Sequence, residues 1–261
     1  MNHAPQNCLK NAVKGIVLSM GLIALCLSFY LIFHQDTVAV SSVFGSRILP
    51  IYCVETDKPE IALTFDAAWG NEDTELILEI LGKYDIRATF FMTGGWVESY
   101  PEDVIRIYEA GHELGNHSLS HPDMITLSPD EMRSEILTVH TMVQELTGYN
   151  MQVFRPPYGS YNNDVIQTLT ECGYYGIQWD VDSLDWKNYG VESIIRTVCE
   201  HENLGNGSII LCHNGAEYTA AALEEMICNL LEQGYSFVTV SDLILKENYH
   251  IDVTGRQIAN P

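Results

Sequence analysis

Two short runs, IALTF at 61–65 and ATFFM at 88–92, are apolar at nearly every position. A strand with one wet face alternates polar and apolar residues, whereas one apolar throughout is covered on both faces, as in a parallel sheet. Between them, Leu76, Ile77, Ile80 and Leu81 recur at helical spacing. This strand-helix-strand pattern continues along the chain. A helix is expected to open near Pro101 and stop at Gly111. Ser128-Pro129-Asp130-Glu131 has the form of a capping box, opening a helix that presents Met132, Ile136, Val139 and Val143 until Gly148. Further strands are expected at 174–179, 208–212 and 236–240, and helices at 191–199 and 218–233. Six to eight such units in one α/β domain imply a barrel or an open parallel sheet.

The flanks read differently. Gly15 to Phe33 carries no charged side chain and follows Lys10 and Lys14. At 1.5 Å per residue the run spans ~28 Å, about a bilayer core, and its positive flank predicts a cytoplasmic N-terminus with the remainder exported. The expected organisation is a short cytoplasmic segment (1–14), a transmembrane signal-anchor (15–34), a linker with some strand character (35–56), the α/β domain (57–246) and a polar tail (247–261). A cleaved signal peptide is the rival for the first segment.

Residues 1–34 hold two lysines and no acid, so the rest of the chain is more negative than the overall −22. Such a surface repels phosphate backbones and excludes nucleic acid as a partner. Seven scattered cysteines without a CxxC pair argue against a disulfide framework or thiol chemistry. No P-loop, G-x-S-x-G, H-E-x-x-H or dinucleotide fingerprint stands where a strand and helix would support it.

Several residues could carry chemistry. Asp66 ends the first apolar run, at the edge where parallel sheets build their sites, and suits either a general base or a structural ion pair. His117 and His121 lie one helical turn apart and could face one metal ion, although surface histidines share this spacing by chance. Arg155 precedes Pro156 and Pro157, which hold it extended; rigid turns do the same. Asp185 and His213 each follow a strand, and a carboxylate can raise the pKa of an imidazole beside it.

TFD (64–66), HSLSH (117–121), RPPYG (155–159), DSLDW (182–186) and LCH (211–213) stand in one order at strand ends. In that order the chain resembles the NodB-homology polysaccharide deacetylases over residues 57–246. TFDAAWG, VDSLDW and the N-terminal span narrow the resemblance to the sporulation-associated deacetylases of Gram-positive bacteria. The resemblance implies a distorted, incomplete (β/α) barrel with its groove at the strand C-termini. It also implies a metal-dependent hydrolase that removes N-acetyl groups from an extracytoplasmic polysaccharide, with peptidoglycan amino sugars as the expected substrate. The implied location is the cell membrane, including the forespore or spore envelope.

In that scheme Asp66 is the base, Arg155 orients it, and His213 is the acid, tuned by Asp185. His117 and His121 hold a divalent metal, zinc by preference, with cobalt or nickel also suited. The Tyr158 N–H faces the oxyanion, and Trp186 and Leu211 wall the acetyl methyl. One departure matters: the family's usual Thr-Phe-Asp-Asp-Gly supplies a third metal ligand from its second Asp, and here that position is Ala67. Asp66, Asn116 or a water would have to substitute. Two other functions follow from the same residues: a catalytically silent protein that binds cell-wall glycan, and a hydrolase of small amides.

Overall fold

Parallel pairing begins at β2 (Glu60–Ala67), which lies between β3 (Thr89–Met92) and β8 (Ile209–Asn214). The computed structural model describes residues 47–261. The expected cytoplasmic segment, membrane anchor and most of the linker lie outside the described residues. Among those described, no helix is long and apolar enough to cross a membrane.

The sheet continues from β3 through β4 (Glu113–Asn116) and β5 (Val153–Phe154) to β6 (Tyr175–Gly176), and from β8 to β7 (Val181–Asp182). A short β9 (Ser236–Val238) pairs with the start of β2. All eight strands are parallel, but β6 and β7 do not pair, so the barrel is incomplete. Residues 51–53 close the lower end of that seam: Ile51 bridges to Ile177 and Cys53 to Ser208.

β2 is buried on both faces, as its apolar run predicts. Ile61, Leu63, Phe65 and Ala67 join the helix-side core, while Ala62 joins a smaller cluster with Phe91, Val153, Ile177 and Ile209. Each fully buried Leu, Ile or Phe contributes about 1.5–3 kcal/mol. Thr64 and Asp66 alternate with the helix-side residues and therefore share the other face with Ala62.

The helices are α1 (Thr74–Lys83), α2 (Gly94–Ser99), α3 (Pro101–Glu109), α4 (Pro129–Thr147), α5 (Asn163–Glu171), α6 (Val191–Cys199), α7 (Thr219–Glu232) and α8 (Val240–Leu243). In α4 the Ser128 capping box forms, Met132, Ile136, Val139 and Val143 are buried, and Gly148 ends the helix in the left-handed conformation. In α1 the expected Leu76 is exposed, because Thr74, Ile77 and Leu81 define the buried stripe. The short α2 and the nine-residue α5 were not visible as patterns. The five described cysteines are free thiols.

The expected polar tail is corrected by the structure. β10 (Tyr249–Ile251) and β11 (Arg256–Ala259) form an antiparallel hairpin, and β11 pairs in parallel with β1 (Cys53–Val54). The two flanks of the expected domain thus meet in a three-stranded sheet. The sheet is secured beside Gly207, whose carbonyl accepts the Val54 N–H at 3.0 Å and whose N–H donates to the Glu60 carbonyl at 2.8 Å. Gly207 has φ +82°, and an added Cβ would meet the Val54 carbonyl oxygen at 1.8 Å. Gly207→Ala should therefore lower folding stability by more than ~1 kcal/mol. An unchanged urea midpoint would contradict this account.

Candidate active site

The C-terminal ends of β2, β4, β7 and β8 surround a pocket of about 390 Å³. Asp66, one residue from the end of β2, is 5% exposed, and its Oδ1 accepts from Arg155 Nη1 at 2.6 Å. The same Nη1 donates to Thr64 Oγ1, and Nη2 donates to the Gln178 carbonyl. The guanidinium is fully buried over the Phe91 ring, 4.1 Å from its centroid. Burial pushes the Asp66 carboxyl up, but Arg155 above all, followed by His117 and His213, holds it below its ordinary value.

His117 and His121 converge on this carboxylate. His117 Nδ1 donates to the Arg155 carbonyl at 2.7 Å, since a carbonyl can only accept. Its Nε2 therefore carries the lone pair in the neutral ring, and burial pushes the His117 pKa down to about 4. Burial lowers His121 as well. The two Nε2 atoms are 3.2 Å apart, and His117 Nε2 is 3.5 Å from Asp66 Oδ2.

The loop carrying this pair is strained and secured. Ser118 and His121 take positive φ, 69° and 56°, each costing of order 1–2 kcal/mol. Asn116 Oδ1 accepts the Ser118 N–H at 3.0 Å, and Ser118 Oγ accepts the His121 N–H at 3.1 Å.

These residues fit two positions of a metal site. Two imidazole nitrogens at ~2.1 Å from one tetrahedral ion stand roughly 3.4 Å apart, close to the observed Nε2 separation. The fixed Nδ1–H of His117 supplies the outer hydrogen bond that metal-binding histidines use. The third position is weaker. Asn116, expected as a substitute ligand, is engaged with its neighbours: its Oδ1 accepts from the Ser118 N–H, and its Nδ2 donates to the Ile136 carbonyl and Tyr174 Oη. Ala67 is buried among apolar side chains on the helix face of β2. Among the described residues, no group of three or more His, Cys, Asp or Glu is arranged to hold a metal. Asp66 Oδ2 is the carboxylate oxygen that approaches the pair.

The opposite wall holds a second proton-handling device. His213 Nδ1 donates to Asp185 Oδ1 at 2.6 Å, and the His213 main-chain N–H donates to Asp185 Oδ2 at 2.7 Å. Thr219 Oγ1 and the Trp186 N–H complete the carboxylate's partners. Burial pulls the imidazole down, but the hydrogen bond and charge of Asp185 outweigh it and raise the His213 pKa.

All nine residues expected at the site are brought together. Tyr158, Trp186 and Leu211 line the pocket with Asp66 and His213, and Arg155 and Asp185 buttress it from below the surface. Tyr158 takes the left-handed conformation (φ 60°, ψ 8°) and its ring packs edge-on to His121. Sequence reasoning gave no role to Trp69, Trp179 or to Asp182 of DSLDW, which also line the pocket. Trp69 lies against His213, ring centroids 5.0 Å apart. The available signal was adjacency: Trp69 and Trp179 each stand three residues from a motif already singled out, and Asp182 lies inside one.

A sequence profile of the family described as Polysaccharide deacetylase matches residues 54–177. The peptidoglycan-N-acetylmuramic acid deacetylase PdaA of Bacillus subtilis is 32% identical over 208 residues, 77% of this chain and 77% of its own length. The peptidoglycan-N-acetylglucosamine deacetylase of Bacillus cereus is 36% identical over 194 residues, 72% of this chain and 69% of its own. Among solved structures, BA3943 of Bacillus anthracis, a CE4 family pseudoenzyme, is similar at a TM-score of 0.72 and 34% identity, covering 81% of this chain and 73% of that one. A BA3943 mutant with restored enzymatic activity is similar at a TM-score of 0.71 and 38% identity, covering 74% and 70%.

Proposed function

Because this chain belongs to the polysaccharide deacetylase family, we propose that it hydrolyses N-acetyl groups of cell-wall amino sugars outside the membrane. The observation that carries the proposal is the pair of opposed proton devices on one pocket. Arg155 lowers the Asp66 pKa and so favours its anion, and Asp185 raises the His213 pKa and so favours its protonated form. Two titratable groups whose surroundings push their pKa values apart suit a base and an acid in one reaction.

Asp66 takes the proton of the attacking water at Oδ2, since Oδ1 is engaged by Arg155. His213 gives its Nε2 proton to the leaving amine, while Nδ1 stays on Asp185. The Tyr158 main-chain N–H is the donor proposed for the oxyanion, and Trp186 and Leu211 receive the acetyl methyl. A divalent metal held by His117 and His121 would polarise the amide carbonyl and acidify the water. Neutral imidazoles suit zinc, with cobalt or nickel as alternatives.

Ala67 creates a conflict within this scheme, because the oxygen needed as the base is also the one nearest the histidine pair. That conflict, with the likeness to a pseudoenzyme, favours a second reading: a glycan-binding protein without turnover. One experiment separates them. Acetate release from peptidoglycan fragments is measured with and without zinc, for the native chain and for Ala67→Asp. Zinc-stimulated release by the native chain is expected; a zinc affinity at least tenfold tighter in Ala67→Asp would show that a carboxylate at 67 turns from the helix face toward the pair. Glycan binding without release by the native chain would establish the silent reading. Unchanged zinc affinity in Ala67→Asp would mean that the new carboxylate stays on the helix face, where the Ala67 methyl lies, out of reach of the pair.

A further inference from the structure

The loop that carries His117 and His121 is held from three sides, and one of these holds reaches far from the catalytic pocket. From α2 the Gly94 N–H donates to the Ser118 carbonyl at 2.9 Å, and the Gly95 N–H to the Leu119 carbonyl at 3.1 Å. From α4 the Glu135 carboxylate accepts from the Ser120 N–H and Oγ, each at 2.8 Å. The third hold is the Asn116 side chain, whose Oδ1 accepts the N–H of left-handed Ser118 at 3.0 Å.

Asn116 is itself fixed by a phenol. One Nδ2 hydrogen goes to the Ile136 carbonyl at 2.8 Å. A carbonyl can only accept and a main-chain N–H can only donate, so Ile136 and Ser118 together settle which end of the amide is which. The second Nδ2 hydrogen is left for Tyr174 Oη, 3.3 Å away. Tyr174 is buried, which pushes its pKa up, and its hydroxyl keeps its proton. With Oη accepting from Asn116, that proton goes to the remaining partner, His140 Nδ1 at 2.6 Å. The bonds thus run in one direction, from the Ser118 N–H through Asn116 and Tyr174 to His140, so that each polarises the next.

Local sequence builds the far end of this chain. After α5, Gly173 takes φ +80°, its N–H returns to the Thr170 carbonyl at 3.0 Å, and the Tyr174 N–H returns to the Leu169 carbonyl at 2.9 Å. This paired helix ending turns Tyr174 back into the core, edge-on to Phe154. His140 stands four residues after Ile136 on α4, one turn along the same face. Its ring therefore meets the hydroxyl beside the carbonyl that holds Asn116. Neither Tyr174 nor His140 lines the catalytic pocket.

We propose that Tyr174 and His140 are positioning residues for the His117–His121 pair. They fix the Asn116 amide, and the amide fixes the strained backbone from which both imidazoles are presented. This rests on reading the pair as a metal site.

The test compares the full native chain with Tyr174→Phe, His140→Leu and His140→Asn, by zinc titration and by amide hydrogen exchange of the zinc-free protein. Loss of an outer partner of a metal-binding histidine lowers metal affinity about 10- to 100-fold, and a more distant partner belongs at the low end. Tyr174→Phe and His140→Leu should therefore weaken zinc binding about tenfold and speed exchange of the Ser118 amide relative to the β2 amides. His140→Asn, which returns an acceptor oxygen near the place of Nδ1, should restore both. In the native chain at about pH 8, above the ordinary imidazole range, nitrogen shifts should show His140 Nδ1 as an acceptor. Zinc affinity unchanged in Tyr174→Phe, even with a lowered urea midpoint, would overturn the proposal and leave a clamp between α4 and α5. A proton on His140 Nδ1, or no recovery in His140→Asn, would also overturn it. If the native chain binds no zinc, the metal reading falls and Ser118 exchange decides: faster exchange in Tyr174→Phe supports the positioning role, and unchanged exchange overturns it.

Discussion

Arg155→Ala is expected to cost about 3–5 kcal/mol of folding stability at neutral pH, the range for removing one partner of a buried ion pair. The guanidinium is fully buried and donates to Asp66, Thr64 and the Gln178 carbonyl, so its loss strands a carboxylate that is itself 5% exposed. The effect should depend on pH with a definite sign. In the native chain the folded pKa of Asp66 is depressed, so its contribution is present above the unfolded pKa and lost as pH falls through the folded one. Without Arg155, desolvation dominates and raises that pKa, so the variant loses stability as pH rises instead. The gap between native and variant urea midpoints should therefore be widest near pH 7 and narrow toward pH 3. A gap independent of pH would mean that the loss is one of packing over Phe91 and Trp179 rather than of charge. Arg155 Nε has no hydrogen-bond partner among the described residues, and an ion pair with an orphaned donor is poorly optimised for stability alone. That fits a group retained to hold Asp66 anionic.

The legible parts of this fold were those where one physical signal dominates. IALTF is apolar because β2 is covered by helices on one side and by the barrel interior on the other, and nothing but a buried strand explains the run. α4 announced itself through its cap, stripe and terminal glycine together. Single-signal segments failed. β5 and β7 are two residues each, too short for any periodicity to register, and β6 takes up only Tyr175–Gly176 of the strand expected at 174–179. The C-terminal hairpin alternates Tyr249, His250 and Ile251, a pattern that says little until β1, about 200 residues away in sequence, supplies its partner strand. At the site, the motifs located every expected residue, but not the tautomer of His117 or the full engagement of Asn116. Both depend on partners from other elements, the Arg155 carbonyl, Ile136 and Tyr174, whose approach no local pattern encodes.

Asp185→Asn is expected to lower kcat/KM for acetate release by about 10²- to 10⁴-fold, the usual worth of a positioned acid. The carboxylate accepts four hydrogen bonds: from His213 Nδ1, the His213 and Trp186 main-chain N–H groups and Thr219 Oγ1. An asparagine places an NH₂ where one pair of those donors points. At Nδ1 of His213 it can only be accommodated by turning the imidazole into an acceptor, which moves the ring proton to Nε2 and disfavours the charged form. The pH dependence follows from the direction of the native shift. Asp185 raises the folded His213 pKa, so the protonated acid persists above the ordinary value of ~6.5. It also contributes stability that is complete below the unfolded pKa and is lost as pH rises through the folded one. The substitution should therefore move the alkaline limb of the pH–rate profile to lower pH and remove that stability window, while the acidic limb set by Asp66 stays in place. The profile is recorded on the native chain, and on Ala67→Asp if only that form turns over. An alkaline limb unmoved by Asp185→Asn would exclude His213 as the acid and leave its tie to Asp185 as a device for joining β8 to the loop after β7.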